Sequence, residues 1–71
     1  RAKVDPAVQA TLVSSRKEEP HQKTITDDGG RFRANLTAGT WFVYARNEEG
    51  RNIYRGKLEV RENGYITVRM P

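Results

Sequence analysis

The chain has no cysteine, a single histidine, a single tryptophan and no apolar run longer than the five residues Trp41 to Ala45. Each shortage removes a class of explanation. Without cysteine there is neither a disulfide framework nor a thiolate site for zinc or redox chemistry, although modules of this size often depend on one. His21 follows Pro20 in a polar loop and has no serine, cysteine or carboxylate at the spacing of a catalytic pair. Acid-base machinery is therefore not expected, and neither is an enzyme or a cofactor. Five apolar residues fall far short of the roughly 20 that span a bilayer as a helix. No signal peptide is visible, and a mature fragment would have lost one. No segment shows apolar residues at helical spacing behind a plausible cap, so no helix of useful length is expected.

What is left must be held by apolar packing. Seventy-one residues suit one domain, 1–71, whose stability should be about 3 to 5 kcal/mol. Beginning at Arg1 and stopping at Pro71 just after an apolar strand, the sequence reads as a segment of a longer polypeptide or assembly. Thirteen Lys and Arg against nine Asp and Glu give a net charge of +4. The basic residues are scattered among apolar ones, as solvent-facing strand positions should be. A phosphate footprint needs a concentrated stripe, and this pattern argues against nucleic acid.

Taken in order, Arg1 to Pro6 is polar, contains the turn-prone Asp5-Pro6, and reads as a linker or a short edge strand around Val4. Val8, Ala10 and Leu12 alternate with Gln9 and Thr11, the pattern of a half-buried strand. Ser14 to Gln22 is a charged surface loop. A strand resumes at Lys23–Thr26, and Asp27-Asp28-Gly29-Gly30 turns it back. Pairing Ile25 with Phe32 selects a two- or four-residue loop there over a three-residue one, which would oppose Ile25 to Arg33. Phe32, Ala34 and Leu36 then face the core, with Arg31, Arg33 and Asn35 outward, until Thr37-Ala38-Gly39 breaks the strand. Trp41, Val43 and Ala45 occupy one face of the next strand and Phe42 and Tyr44 the other, so that strand should be central. Asn47-Glu48-Glu49-Gly50 is a hairpin-type loop, and Arg51 to Gly56 leads the chain back through Ile53 and Tyr54. For the last hairpin, a three-residue loop Glu62-Asn63-Gly64 pairs Val60 with Ile66 and Leu58 with Val68, with Gly64 left-handed in a bulge. The expected fold is all-β: a small antiparallel β-sandwich of about six to seven strands, without internal repeat.

The run Thr26-Asp27-Asp28-Gly29-Gly30-Arg31-Phe32, then Leu36, Gly39 to Ala45, Leu58-Glu59-Val60 and Ile66-Thr67-Val68 resembles the carboxypeptidase regulatory-like, or transthyretin-like (prealbumin-like), β-sandwich modules. Asp27, Gly30 and Phe32 match their Thr-Asp-x-x-Gly-x-Phe hairpin, and Trp41 stands where they usually carry Tyr or another aromatic. The likeness covers roughly residues 24 to 70. It departs at the front, where Lys3 to Ala7 compresses the family's opening Gly-x-Val strand. The first strand is then shortened, absent or supplied by neighbouring chain, and an open edge of that kind invites assembly by strand addition into an oligomer or filament. The resemblance implies an Ig-like, non-catalytic appendage of a secreted, periplasmic or cell-surface protein, acting as a spacer, a protein-interaction platform or, in some members, a carbohydrate binder. Partners would be another protein or a neighbouring domain of the same chain. Fold alone does not decide among these.

The sharpest candidate contacts are Phe42, Tyr44, Tyr54 and Tyr65. Flat aromatics on the outer face of a sheet can stack on sugar rings or anchor a protein partner, whereas scattered ones are ordinary surface residues or cross-strand pairs. Asp27 and Asp28, with Asp5 as a third ligand, supply too few oxygens for Ca²⁺, and turn chemistry accounts for them better. Asn35-Leu36-Thr37 is a glycosylation sequon, meaningful only in a eukaryotic secretory setting.

Overall fold

The computed structural model describes residues 7–71; the linker or edge strand expected around Val4 lies outside them. Six strands are formed among the described residues: β1 (Gln9–Ser14), β2 (Gln22–Ile25), β3 (Arg31–Leu36), β4 (Gly39–Arg46), β5 (Asn52–Val60) and β6 (Gly64–Arg69). They make two antiparallel sheets, a four-stranded one in the order β2-β1-β4-β5 and a two-stranded one, β3-β6. No helix is present among the described residues. The chain is an all-β protein built as a small two-layer sandwich.

The alternation read in the sequence is what drives the layers together. Phe32, Ala34 and Leu36 on β3 are buried while Arg31, Arg33 and Asn35 between them are exposed. On β4, Trp41, Val43 and Ala45 are buried, and that strand lies between β1 and β5 as its two apolar faces demand. Ala10 and Leu12 of β1 and Val60 of β5 close the same core, with Leu58, Ile66, Val68 and Met70 packed at its margin. The indole N–H of Trp41 donates to the carbonyl of Thr37 at 2.8 Å, so the largest buried side chain leaves no polar atom unpaired. The loop after β1 is tied to the β3–β4 end of the sandwich: the Ser15 amide donates to the Thr40 carbonyl, and the Thr37 hydroxyl to Glu19.

Two expected pairings do not form. Ile25 is opposite Gln9, not Phe32, and is 66% exposed. The Asp27 amide donates to the Arg31 carbonyl and the Gly30 amide to the Asp27 carbonyl, which makes residues 28–30 the three-residue loop that hydrophobic pairing had disfavoured. Ile25 could oppose Phe32 only if β2 and β3 lay in one sheet, and they do not. The chain instead changes layer at this turn, so the side chains of Ile25 and Phe32 never share a face. The same correction applies at the C-terminal end. Val60 lies opposite Gly39 and Leu58 opposite Trp41, while Ile66 pairs with Ala34 and Val68 with Phe32. Residues 61–63 are therefore a crossover between layers, not a hairpin loop, with the Asn63 side chain accepting from the Ala38 amide at 2.8 Å. Gly64 does have a positive φ, 146°, but within β6 opposite Leu36.

Candidate functional site

The outer face of the four-stranded sheet carries the candidate surface. Antiparallel register puts Val13 opposite Phe42 and Thr11 opposite Tyr44, and on the other side of β4 it puts Lys57 opposite Phe42 and Tyr54 opposite Tyr44. Phe42, Tyr44 and Tyr54 meet there. The Tyr44 and Tyr54 rings are 5.6 Å apart, edge to face, and the Phe42 and Tyr54 rings 6.4 Å apart with a tilt of 51°. Both are ordinary geometries for aromatic pairs, whose positive edges seek negative faces. The rings do not lie in one plane. Tyr54 is 53% exposed, Phe42 and Tyr44 are half-buried, and Thr11 beneath Tyr44 is buried although it sits on the solvent side of the sheet.

A bulge makes this cluster possible. Val43 pairs with Gly56 and Tyr44 with Tyr54, which leaves Arg55 without a partner. Counting back by twos from Leu58 and Val60 on an unbroken strand would send Tyr54 into the core and Ile53 to the surface. The extra residue reverses that, setting Tyr54 beside Tyr44 and Ile53 on the inner side, where it remains partly uncovered. β5 continues through the bulge and past Gly56 to Val60, beyond the Arg51 to Gly56 segment expected from the sequence. Gly56 is the local signal, because a glycine inside an apolar strand often marks a bulge.

Tyr65 does not join the other three. It lies on the outer face of the smaller sheet opposite Asn35, with the Arg33 guanidinium 4.6 Å from its ring centroid. Val13 and Thr11 belong to the aromatic surface and were not singled out from sequence. Only the pairing of β1 with β4 brings them there, and alternation within one strand does not specify its neighbour.

Asp27 behaves as turn chemistry requires. Its carboxylate accepts from the amides of Gly29 and Arg31, both at 2.9 Å. The Arg31 amide above all, then that of Gly29, with help from the Arg31 charge, holds its carboxyl below the ordinary value. Asn47 repeats the arrangement, accepting from the amides of Glu49 and Arg51 over a loop whose Gly50 has φ 83°, as Gly30 has φ 77°. A depressed folded-state pKa contributes stability that is present above the unfolded value and is lost as pH falls through the folded one. Wild-type melting temperature should therefore decline below about pH 4 more steeply than that of Asp27→Asn, which keeps the acceptor and loses the charge. Equal slopes in thermal melts between about pH 2 and pH 6 would contradict this assignment.

Beside this turn, a shallow cleft of about 510 Å³ between β2 and β3 is lined by Thr24, Thr26, Asp27, Arg31 and Arg33 among others. Among the described residues no three His, Cys, Asp or Glu side chains gather where they could hold a metal ion, and no helix is long and apolar enough to cross a membrane. No family model, characterised protein or solved structure matches the chain.

Proposed function

We propose that this is a non-catalytic interaction module of a secreted or cell-envelope protein, and that it docks a protein partner, or a neighbouring domain of its own chain, on the outer face of the larger sheet. The observation that carries the reading is the cluster of Phe42, Tyr44 and Tyr54, three aromatic side chains converging on a surface that the core does not need. Aromatic anchors flanked by Lys57 and Lys23 resemble the centre and rim of a docking patch, where tyrosines supply large contact area at low entropic cost. Transthyretin-like architecture and the location outside the cytoplasm are what the sequence resemblance implies, and the two antiparallel layers among the described residues are compatible with the former.

A carbohydrate-binding module is the alternative use of the same rings. Tilts of 51° and 63° between them break the flat platform on which sugar rings stack, which favours the protein partner. A photo-crosslinking residue at position 54, introduced into the protein in its native cell, should give a discrete adduct that the same probe at position 33 does not. Tyr44→Ala should abolish the adduct while the fold persists, at a cost of about 0.5–1.5 kcal/mol for the lost Tyr44–Tyr54 contact. A glycan-array signal lost in Tyr44→Ala, with no protein adduct, would replace this reading by the carbohydrate one.

A further inference from the structure

The two-stranded sheet is incomplete along one edge, and its hydrogen-bonding pattern identifies which backbone groups are open. The Met70 amide donates to the Gly30 carbonyl at 2.8 Å, in register with the Val68–Phe32 pair. Hydrogen-bonded and non-hydrogen-bonded pairs alternate along an antiparallel ladder. Gly64, Ile66, Val68 and Met70 therefore turn their amides and carbonyls toward β3, and Tyr65, Thr67 and Arg69 turn theirs away. The opposite edge of β3 obeys the same parity and is already occupied: the Arg31 carbonyl accepts from the Asp27 amide, the Arg31 amide donates to the Asp27 carboxylate, and the Arg33 carbonyl accepts from the Thr24 hydroxyl at 3.1 Å. Among the described residues, β6 has no neighbour on its other side.

The other outer edges are blunted and this one is not. β2 has only four residues, and β5 is bulged at Arg55 and carries Lys57 beyond it. β6 reads Gly-Tyr-Ile-Thr-Val-Arg, with no proline and no charge before its last residue. Its inward side chains Ile66 and Val68, and Met70 after them, are only half-buried.

We propose that β6 pairs antiparallel with β6 of a second copy of this chain about a two-fold axis at Thr67, joining the two small sheets into one of four strands, β3-β6-β6-β3. The strand is self-complementary in that register. Thr67 meets Thr67 of the second copy, Tyr65 meets Arg69, Ile66 meets Val68 and Gly64 meets Met70, so inward residues oppose inward ones and outward residues oppose outward ones. The three open positions Tyr65, Thr67 and Arg69 all fall in hydrogen-bonded pairs, giving about six bonds between chains. Arg69 gains most. Within one chain it lies directly across from Arg31, a like-charge pair, and it makes no ion pair among the described residues. The dimer would set its guanidinium against a Tyr65 ring, the contact that Arg33 already makes within the chain. This surface is on the opposite layer from the aromatic cluster and does not depend on the function proposed for it.

Sedimentation equilibrium over a hundredfold concentration range should show the mass moving from 8.1 kDa toward twice that value. Over the same range, amide exchange read by NMR should slow at least tenfold at Tyr65, Thr67 and Arg69 with rising concentration. Thr67→Lys opposes two lysines at the axis and should weaken dimerisation at least tenfold; the backbone of Thr67 makes no hydrogen bond to β3, so the monomer's fold should persist, with only a small fall in melting temperature from the like charge of Arg33 across the strand. A mass of 8.1 kDa throughout, with unprotected amides, would overturn the proposal. So would a monomer in which those amides are protected at every concentration, which would put a strand of the chain's own on that edge. A dimer that Thr67→Lys leaves intact and Tyr54→Ala dissociates would move the interface to the aromatic face.

Discussion

Trp41→Ala is expected to leave the chain unfolded at 25 °C. Trp41 is 1% exposed and lies in the cluster with Phe32, Leu12, Leu36 and Val43, between layers that are only four and two strands wide. Truncating a buried tryptophan to alanine costs about 3–5 kcal/mol in lost transfer energy and residual cavity. A domain of this size holds about 3–5 kcal/mol in all, so one substitution removes most of the margin. With neither disulfide nor described metal cluster to limit the loss, nothing else keeps the layers joined. Trp41→Phe separates the two contributions: it keeps most of the apolar bulk but strands the Thr37 carbonyl, and should cost about 1–3 kcal/mol. Far-ultraviolet circular dichroism and urea melts give both values. A cooperative urea transition in Trp41→Ala within about 1 kcal/mol of wild type would mean that the core is organised around another residue.

The second large effect is expected at Gly56. Its φ of 155° lies in a region that side chains avoid, and a Cβ there would sit 3.3 Å from the Pro71 ring. Backbone strain of this kind costs on the order of 1–3 kcal/mol, and a β-branched residue also has to displace the proline. Gly56→Val can fold in two ways, keeping the bulge under strain or erasing it. Erasing it slips Asn52 to Arg55 by one position, which turns Tyr54 inward and Ile53 outward and breaks both ring contacts. The expected outcome is a stability loss of about 2 kcal/mol or more, together with loss of the ring-current shifts that Tyr44 and Phe42 impose on Tyr54. Wild-type stability with intact ring contacts would show that the bulge does not need glycine.

Alternation made the inside and outside of β3 and β4 legible in the sequence, because burial on one face is a property of each strand by itself. Neighbours were legible at the β4–β5 hairpin over Asn47 to Gly50 and not elsewhere. Ile25 opposite Phe32, and Val60 opposite Ile66, were reasonable while successive strands were assumed to pair, but in a sandwich this small the chain changes layer between β2 and β3, β3 and β4, and β5 and β6. Tyr54 joined the aromatic face for a reason the sequence only hinted at, since the bulge, and not a simple period of two, aims it. Tyr65 was grouped with it on residue type, and its strand belongs to the other layer.

The matched loops at Asp27 to Arg31 and Asn47 to Arg51 share their hydrogen bonds and their left-handed glycine, yet one ends a hairpin and the other carries the polypeptide around the corner. Such a loop is a neutral coupling that commits its flanks to neither outcome. Whether the chain doubles back beside itself or crosses to the facing layer is decided by the company its arms keep further along: β1 for one arm, β6 for the other. Grafting either loop onto an unrelated scaffold would transfer its bend without its topology.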